Sequence, residues 1–322
     1  MSENVMTDSL LGRAALPIIA APMFLVSGPE LIIAAGRSGI IGAFPAANAR
    51  TPEQLADWLA EIDNGLAGCD AASYAVNINV RPGRYRDFDS VLAMLENARV
   101  PLVITSVGDP SDMVRRVHAW GGKVLHDVTT LRHAEKAVEA GVDGLILVCA
   151  GAGGHAGANS PFSFLRAVRK CYDGLVVLGG GIADGYGVAA AITLGADLVY
   201  MGTRFITASE SMASDEYKQA VVDADLADIV YTNAISGIPA NFLRPSIAAA
   251  GMDPANLPPL LDGRPNLPEG KKAWKHILSA GHASTLVERV RPVDEIVRTI
   301  GAEFHSALER MDREHCRWRR VD

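Results

Sequence analysis

The sequence predicts an α/β fold: a (β/α)8 (TIM) barrel with an additional helical C-terminal segment over the barrel mouth. Three observations predict it. Eight short apolar runs recur over the first two thirds of the chain, segments with helical spacing separate them, and several helix ends repeat a glycine followed by an acidic residue. The runs are near-continuously apolar rather than alternating, as expected of parallel strands covered on both faces. Eight successive βα units read as a closed barrel filling residues 17 to about 208.

In order, the expected strands are 17–21, 40–44, 74–80, 101–106, 123–126, 144–149, 175–178 and Leu198–Met201. Helical spacing occupies 51–62, 91–97, 112–120, 130–140, 161–170 and Gly185–Leu194. In Glu139-Ala140-Gly141-Val142-Asp143 and Thr193-Leu194-Gly195-Ala196-Asp197 the glycine stands just past the helix, where a left-handed cap ends it. A doubly wound sheet would instead put a GxGxxG turn after its first strand. Here that turn reads Ala20-Ala21-Pro22-Met23-Phe24.

Beyond residue 208 the texture changes. Residues 209–228 look helical and polar, 238–270 are rich in proline and asparagine, and 271–318 regain helical spacing. The expected division is therefore a barrel over 1–208 and a helical, loop-rich substrate or lid segment over 209–322. The second part has too few strand signals for a second sheet, and the closing run 317–320 reads as a solvated tail.

Composition narrows the function. With 322 residues, 49% hydrophobic and 21% charged, the chain is an ordinary globular mix. Thirty Lys and Arg against 37 Asp and Glu give a net charge of −7, without the basic stripe that nucleic-acid binding needs. Cys69, Cys149, Cys171 and Cys316 are scattered with no CxxC pair, which fits reduced thiols and offers no structural zinc site. The first fifteen residues carry Glu3 and Asp8 and lack the apolar centre of a secretory signal, so a cytoplasmic location is expected. No run reaches the 18 or so apolar residues of a membrane span. No HxxxH pair or His/carboxylate cluster suggests a metal.

Barrel enzymes keep their chemistry at strand C-termini. After the sixth run comes Cys149-Ala150-Gly151-Ala152-Gly153-Gly154-His155-Ala156-Gly157, which sets a group able to exchange protons near neutral pH inside a glycine nest. Gly179, Gly180 and Gly181 follow the seventh run, and Gly202 and Thr203 the eighth. These are the ordinal positions where barrels bind phosphate through backbone amides, although a glycine triplet alone is also a tight turn. Pro22, Met23 and Phe24 after the first run offer a polarisable surface for an aromatic ring or, equally, core packing. Asn77 and Asn79 at the third supply amides that need partners when buried. His118, His133 and His276 read as helix-surface residues, and Cys149 as a small buried hydrophobe without an adjacent base.

Together, Ala21-Pro22-Met23, Val76-Asn77-Ile78-Asn79, the 152–157 glycine run, Gly180-Gly181-Ile182-Ala183-Asp184-Gly185 and Met201-Gly202-Thr203-Arg204-Phe205 resemble the nitronate monooxygenases, formerly 2-nitropropane dioxygenases. The resemblance covers roughly residues 16–209, and Ser279-Ala280-Gly281-His282 is weakly similar to the family's C-terminal segment. It implies FMN as cofactor and His155 as the catalytic histidine. Pro22, Met23 and Phe24 would line the flavin ring, Asn77 or Asn79 would bond it and Gly153 would lie against it. Gly179, Gly180, Gly181, Gly202 and Thr203 would hold the phosphate. The implied reaction oxidises alkyl nitronates or nitroalkanes with O2 to a carbonyl compound and nitrite. NAD(P)H-dependent reductases of quinones or enoyl thioesters share much of the pattern and form the alternative. Two departures stand out. Asp127 occupies a position where some relatives carry a flavin-directed lysine, and Val148 and Gly151 replace polar or acidic residues before the glycine nest.

Overall fold

The structure, a computed structural model, describes residues 14–81, 83 and 87–315. Cys316, the 317–320 arginine run and residues 1–13 lie outside the described residues. Six parallel strands, β1 (Ile18–Ala20), β2 (Ile41–Pro45), β3 (Tyr74–Asn79), β4 (Leu102–Ser106), β5 (Lys123–Val128) and β6 (Gly144–Val148), follow one another in sequence order. A two-residue strand, β7 (Gly154–His155), leaves the sheet before β8 (Leu175–Gly179) and β9 (Leu198–Met201) complete it. β9 pairs back onto β1, with Tyr200 beside Ile19, and closes the barrel.

The repeated glycine-then-acid joint has a physical cause. Asp143 accepts from Val124 N at 2.8 Å and pairs with Lys123 Nζ at 3.0 Å. Asp197 does the same two units later, accepting from Val176 N at 2.7 Å and from Arg169 Nη2 at 2.6 Å. Each carboxylate thus anchors the start of the preceding strand at the closed end of the barrel. Gly195 adopts φ 112°, the left-handed cap that the sequence pattern predicts.

Ile19, Ile41, Ala75, Leu102, Leu125, Ile146, Leu175 and Leu198 fill the barrel interior. Side chains alternate along each strand, so the same inward face carries Asn77, Asp127, Val148 and Tyr200 where it reaches the open end of the barrel.

The C-terminal part differs from the sequence reading in two respects. First, β10 (Ile229–Thr232) and β11 (Ala240–Leu243) pair antiparallel, and β11 also pairs with β7, making a three-stranded sheet where no second sheet was expected. Its strands are only four, four and two residues long, too short to give an alternation signal, and one comes from a barrel loop. Second, helix Val293–His315 runs along the barrel flank and packs on helices Gly185–Leu194 and Pro29–Arg37. Val293, Ile296, Val297 and Ile300 are buried in the same core as the barrel's outer face. Gly185 permits that contact, because a Cβ there would overlap the backbone of Ile300 and Phe304. Its amide donates to Glu303 Oε2 at 3.0 Å. No helix among the described residues is long and apolar enough to cross a membrane.

Candidate active site

A cavity of about 780 Å³ opens at the C-terminal ends of the barrel strands, within the usual range for small-molecule sites. Every residue assigned to a site from the sequence lines it: Pro22, Met23 and Phe24 on one side, Asn77 and Asn79 below, and Gly179, Gly180, Gly181, Gly202 and Thr203 opposite. Gly153 and His155 border it as well. Residues from the first loop to the last are thus brought to one space by the strand ends.

The first loop is held by Asn48, which the sequence reading did not single out. Its Oδ1 accepts from Leu25 N at 2.9 Å, and its Nδ2 donates to Met23 O at 3.0 Å and Ser27 O at 2.8 Å. Those bonds keep Leu25 at φ 65°, a conformation rare for a leucine, and fix Met23 beside the cavity. Asn77 Nδ2 donates to Ile104 O at 3.1 Å, and Asn79 Oδ1 accepts from Arg81 N at 3.0 Å. Both asparagines are therefore oriented by the protein.

The glycine nest is stitched to the C-terminal segment. Gly154 N donates to Ser279 Oγ at 2.7 Å, Asn241 Nδ2 donates to Ala152 O at 2.7 Å, and His282 N donates to Gly151 O at 2.9 Å. A Cβ on Gly281 would overlap Gly151 O, so the small residues of the nest admit this neighbouring backbone. Thr203 Oγ1 accepts from Gly281 N at 2.9 Å, which leaves its own proton to donate. Gly180 is required by the chain itself: its φ is +133°, and a Cβ would stand 2.7 Å from Ala150 O. Gly202 is different, since a Cβ there would find nothing nearer than Ala21 Cβ at 3.7 Å.

His155 is exposed at the mouth, with its backbone paired to Ala240 in the small sheet. Its ring meets the edge of Trp274 with centroids 5.2 Å apart and planes at 83°. Trp274 itself sits at φ 68° and packs on Phe242 at 4.9 Å. Beyond this pair lies a smaller chamber of about 440 Å³, lined by Arg81, Lys271 and Lys272 among others and, among the described residues, by no carboxylate.

Asp127 lines the cavity, and its Oδ1 is shielded from solvent without a hydrogen-bond partner. Burial pushes its carboxyl up to about 7. Tyr200 OH is likewise buried and unpartnered, and burial followed by the Asp127 charge raises its phenol well above the ordinary value. Cys149 is fully buried with its thiol pushed up to about 12 by desolvation, in keeping with a packing role. Among the described residues no cluster of three or more His, Cys, Asp or Glu is placed to hold a metal ion.

Known proteins share this architecture. Residues 67–303 match the family model described as nitronate monooxygenase. A nitronate monooxygenase from Paraburkholderia phytofirmans is 27% identical, over 95% of this chain and 99% of that protein. The crystal structure of a nitroalkane oxidase from Streptomyces ansochromogenes superposes with a TM-score of 0.79 at 25% identity, covering 94% of this chain and 99% of that one. FabK from Thermotoga maritima gives 0.78 at 26% identity, covering 97% and 99%. With the family model spanning well over half its length, the chain belongs to the nitronate monooxygenase family of flavin-dependent oxidoreductases.

Proposed function

We propose that the protein is an FMN-dependent enzyme that oxidises alkyl nitronates and nitroalkanes with O2 to a carbonyl compound and nitrite. The observation that carries this reading is the convergence of the whole family pattern on one cavity with His155 at its mouth. The residues present suit a flavin. At Gly202 and Gly181 a Cβ would meet nothing nearer than 3.7 Å, which leaves backbone accessible to a phosphate. Pro22, Met23 and Phe24 would line the ring, Asn77 or Asn79 would bond it, and Gly153 would lie against it. Gly179, Gly180, Gly181, Gly202 and Thr203 would hold the phosphate. When bound, FMN supplies the electron acceptance and oxygen chemistry that no side chain here offers.

The protein's own contribution is geometry and proton handling. A neutral nitroalkane holds its α-proton on carbon, and His155 is the base placed to accept it through an imidazole nitrogen. The backbone on both sides of His155 is fixed: Gly154 by Ser279, and Ala156 N by Pro239 O at 3.1 Å. Trp274 restricts the ring from one edge. A preformed nitronate needs only binding and exclusion of water, which the wall formed by Tyr231, Ile238, Pro239 and Trp274 provides.

One observation favours a second reading, an NAD(P)H-dependent reductase of quinones or enoyl thioesters. The chamber bearing Arg81, Lys271 and Lys272 would suit the phosphate-bearing tail of a nucleotide or thioester. Anaerobic mixing of the yellow protein with ethylnitronate, NADH or NADPH separates the two. Bleaching of the flavin by the nitronate, with nitrite formed once air is admitted, is expected. Bleaching by a pyridine nucleotide alone would transfer the assignment to the reductase.

A further inference from the structure

Oxidation of a small nitronate makes no use of the smaller chamber, about 440 Å³, that adjoins the main cavity. The two spaces share Asn79, Val107, His155, Ile238 and Trp274, so one wall divides them and a ligand crossing it has an end in each. That wall holds an uncommon backbone: Val107 stands at φ 54° and Trp274 at φ 68°. Left-handed dihedrals on a branched and a bulky residue persist only where the surroundings impose them, and they gather at ligand sites.

Three cations line the chamber: Arg81, just after β3, and Lys271 and Lys272 from the C-terminal segment. Among the described residues no carboxylate lines it, and no ion pair joins any of the three to one. The chain as a whole carries a charge of −7, so this local excess of positive charge runs against the rest of the molecule. The backbone that presents the lysines is held in place. Lys271 N donates to Pro268 O and Lys272 N to His276 Nδ1, both at 3.0 Å, and Trp274 N donates to Ile277 O at 3.0 Å. Val107, Pro265 and Leu267 add apolar wall. A lone carboxylate would leave two cations unused and most of the space empty, since a chamber of this volume encloses a drug-sized group. Phosphates joined to a flat base fit better: the oxygens take the cations and the base takes the apolar wall.

We propose that this chamber is a subsite for a nucleoside diphosphate, with Arg81, Lys271 and Lys272 on its phosphates, and that the group is the tail of a larger molecule whose head passes His155 and Trp274 into the main cavity. A dinucleotide and a coenzyme A thioester both carry such a tail. The assignment deepens the reductase reading, on which it rests for the chemistry of the head, by naming the residues that hold the carrier. Binding of the tail itself requires no flavin reaction.

The test is binding of ADP to the full-length, FMN-loaded protein by isothermal titration calorimetry, in wild type, Arg81→Ala, a Lys271→Ala, Lys272→Ala double variant and Lys275→Ala. Arg81→Ala and the double variant should each weaken ADP on the order of tenfold, the loss of hydrogen bonds to a charged group. Lys275 is exposed on the same segment but does not line the chamber, so Lys275→Ala should bind ADP as wild type does. Inorganic pyrophosphate and adenosine should each bind more weakly than ADP. No saturable ADP binding in wild type would overturn the subsite, and so would an equal loss in Lys275→Ala and the double variant, which would reduce the effect to general surface charge. Pyrophosphate binding as tightly as ADP would overturn the nucleoside. Coenzyme A and NADP⁺ are then set to compete with ADP, and the one that displaces it at lower concentration identifies the source of the tail. Displacement by neither would overturn the link to the main cavity. Wild type that binds ADP yet fails to oxidise ethylnitronate would bring down the nitronate reading alone, an outcome distinct from failure of the subsite.

Discussion

Gly154 and Ser279, 125 positions apart, are joined by a hydrogen bond of 2.7 Å from the glycine amide to the serine hydroxyl oxygen. Ser279 passes its own proton to Asn241 O at 2.7 Å, so one side chain clamps β11 to the residue before His155. The C-terminal part therefore sets the position of the proposed base. Ser279→Ala should leave Gly154 N and Asn241 O unpartnered, at a cost of about 1–3 kcal/mol. Turnover of neutral nitroethane should fall about tenfold while FMN content stays at the wild-type level. Unchanged turnover with a lowered melting temperature would make the clamp purely structural.

His155→Ala should retain FMN and lose roughly two to four orders of magnitude on a neutral nitroalkane, the usual contribution of a positioned general base. Ethylnitronate has already lost that proton, so its oxidation should suffer far less. Parallel steady-state assays of the two substrates decide the matter. Equal losses on both would make His155 a binding or electrostatic residue.

The barrel was legible because parallel strands buried on both faces write continuous apolar runs, and because two of its units share the anchor made by Asp143 and Asp197. Strand ends consequently match the sequence reading within a residue or two. The positions of the glycine turns were legible for the same reason, since strand order fixes which loops meet. The role of each glycine was not. Gly180 and Gly281 answer to neighbouring backbone, and Gly185 to helix Val293–His315, contacts that arise only when distant segments pack. Asn48, Ser279 and Trp274 act through partners 21 to 125 positions away and carry no local pattern. Asp127 was visible as an oddity, but its orphaned oxygen depends on the neighbours of its layer.

Gly202→Asp is a cleaner probe of the phosphate site than any change at Gly180. Gly180 has φ +133° and no room for a Cβ, so a substitution there would disturb the end of β6 regardless of ligand. At Gly202 a side chain fits, with its nearest neighbours at 3.7 and 3.8 Å. Gly202→Ala should fold and keep FMN, whereas Gly202→Asp should fold and lose at least about a hundredfold in FMN affinity by setting a carboxylate against the phosphate. Circular dichroism checks the fold and equilibrium dialysis the affinity. Equal retention of FMN by the two variants would locate the phosphate elsewhere.

The burial of Asp127 also predicts how stability responds to pH. Its carboxyl is raised by desolvation from an ordinary value near 3.8 to about 7, so between those limits the folded chain holds a proton that the unfolded chain has released. Stability from this group is complete below the unfolded value and is lost as pH rises toward the folded one, at a rate of at most about 1.4 kcal/mol per pH unit. Asp127→Asn removes the effect, since an amide is neutral throughout. The ligand-free variant should therefore gain on ligand-free wild type by about 3 kcal/mol between about pH 4.5 and pH 7.5, with little further change above. Every other titrating group is common to both proteins and cancels in the comparison. Thermal midpoints measured in parallel across that range test it. A gap that stays constant with pH would mean that Asp127 is ionised in the folded protein, held by a partner other than the ligand.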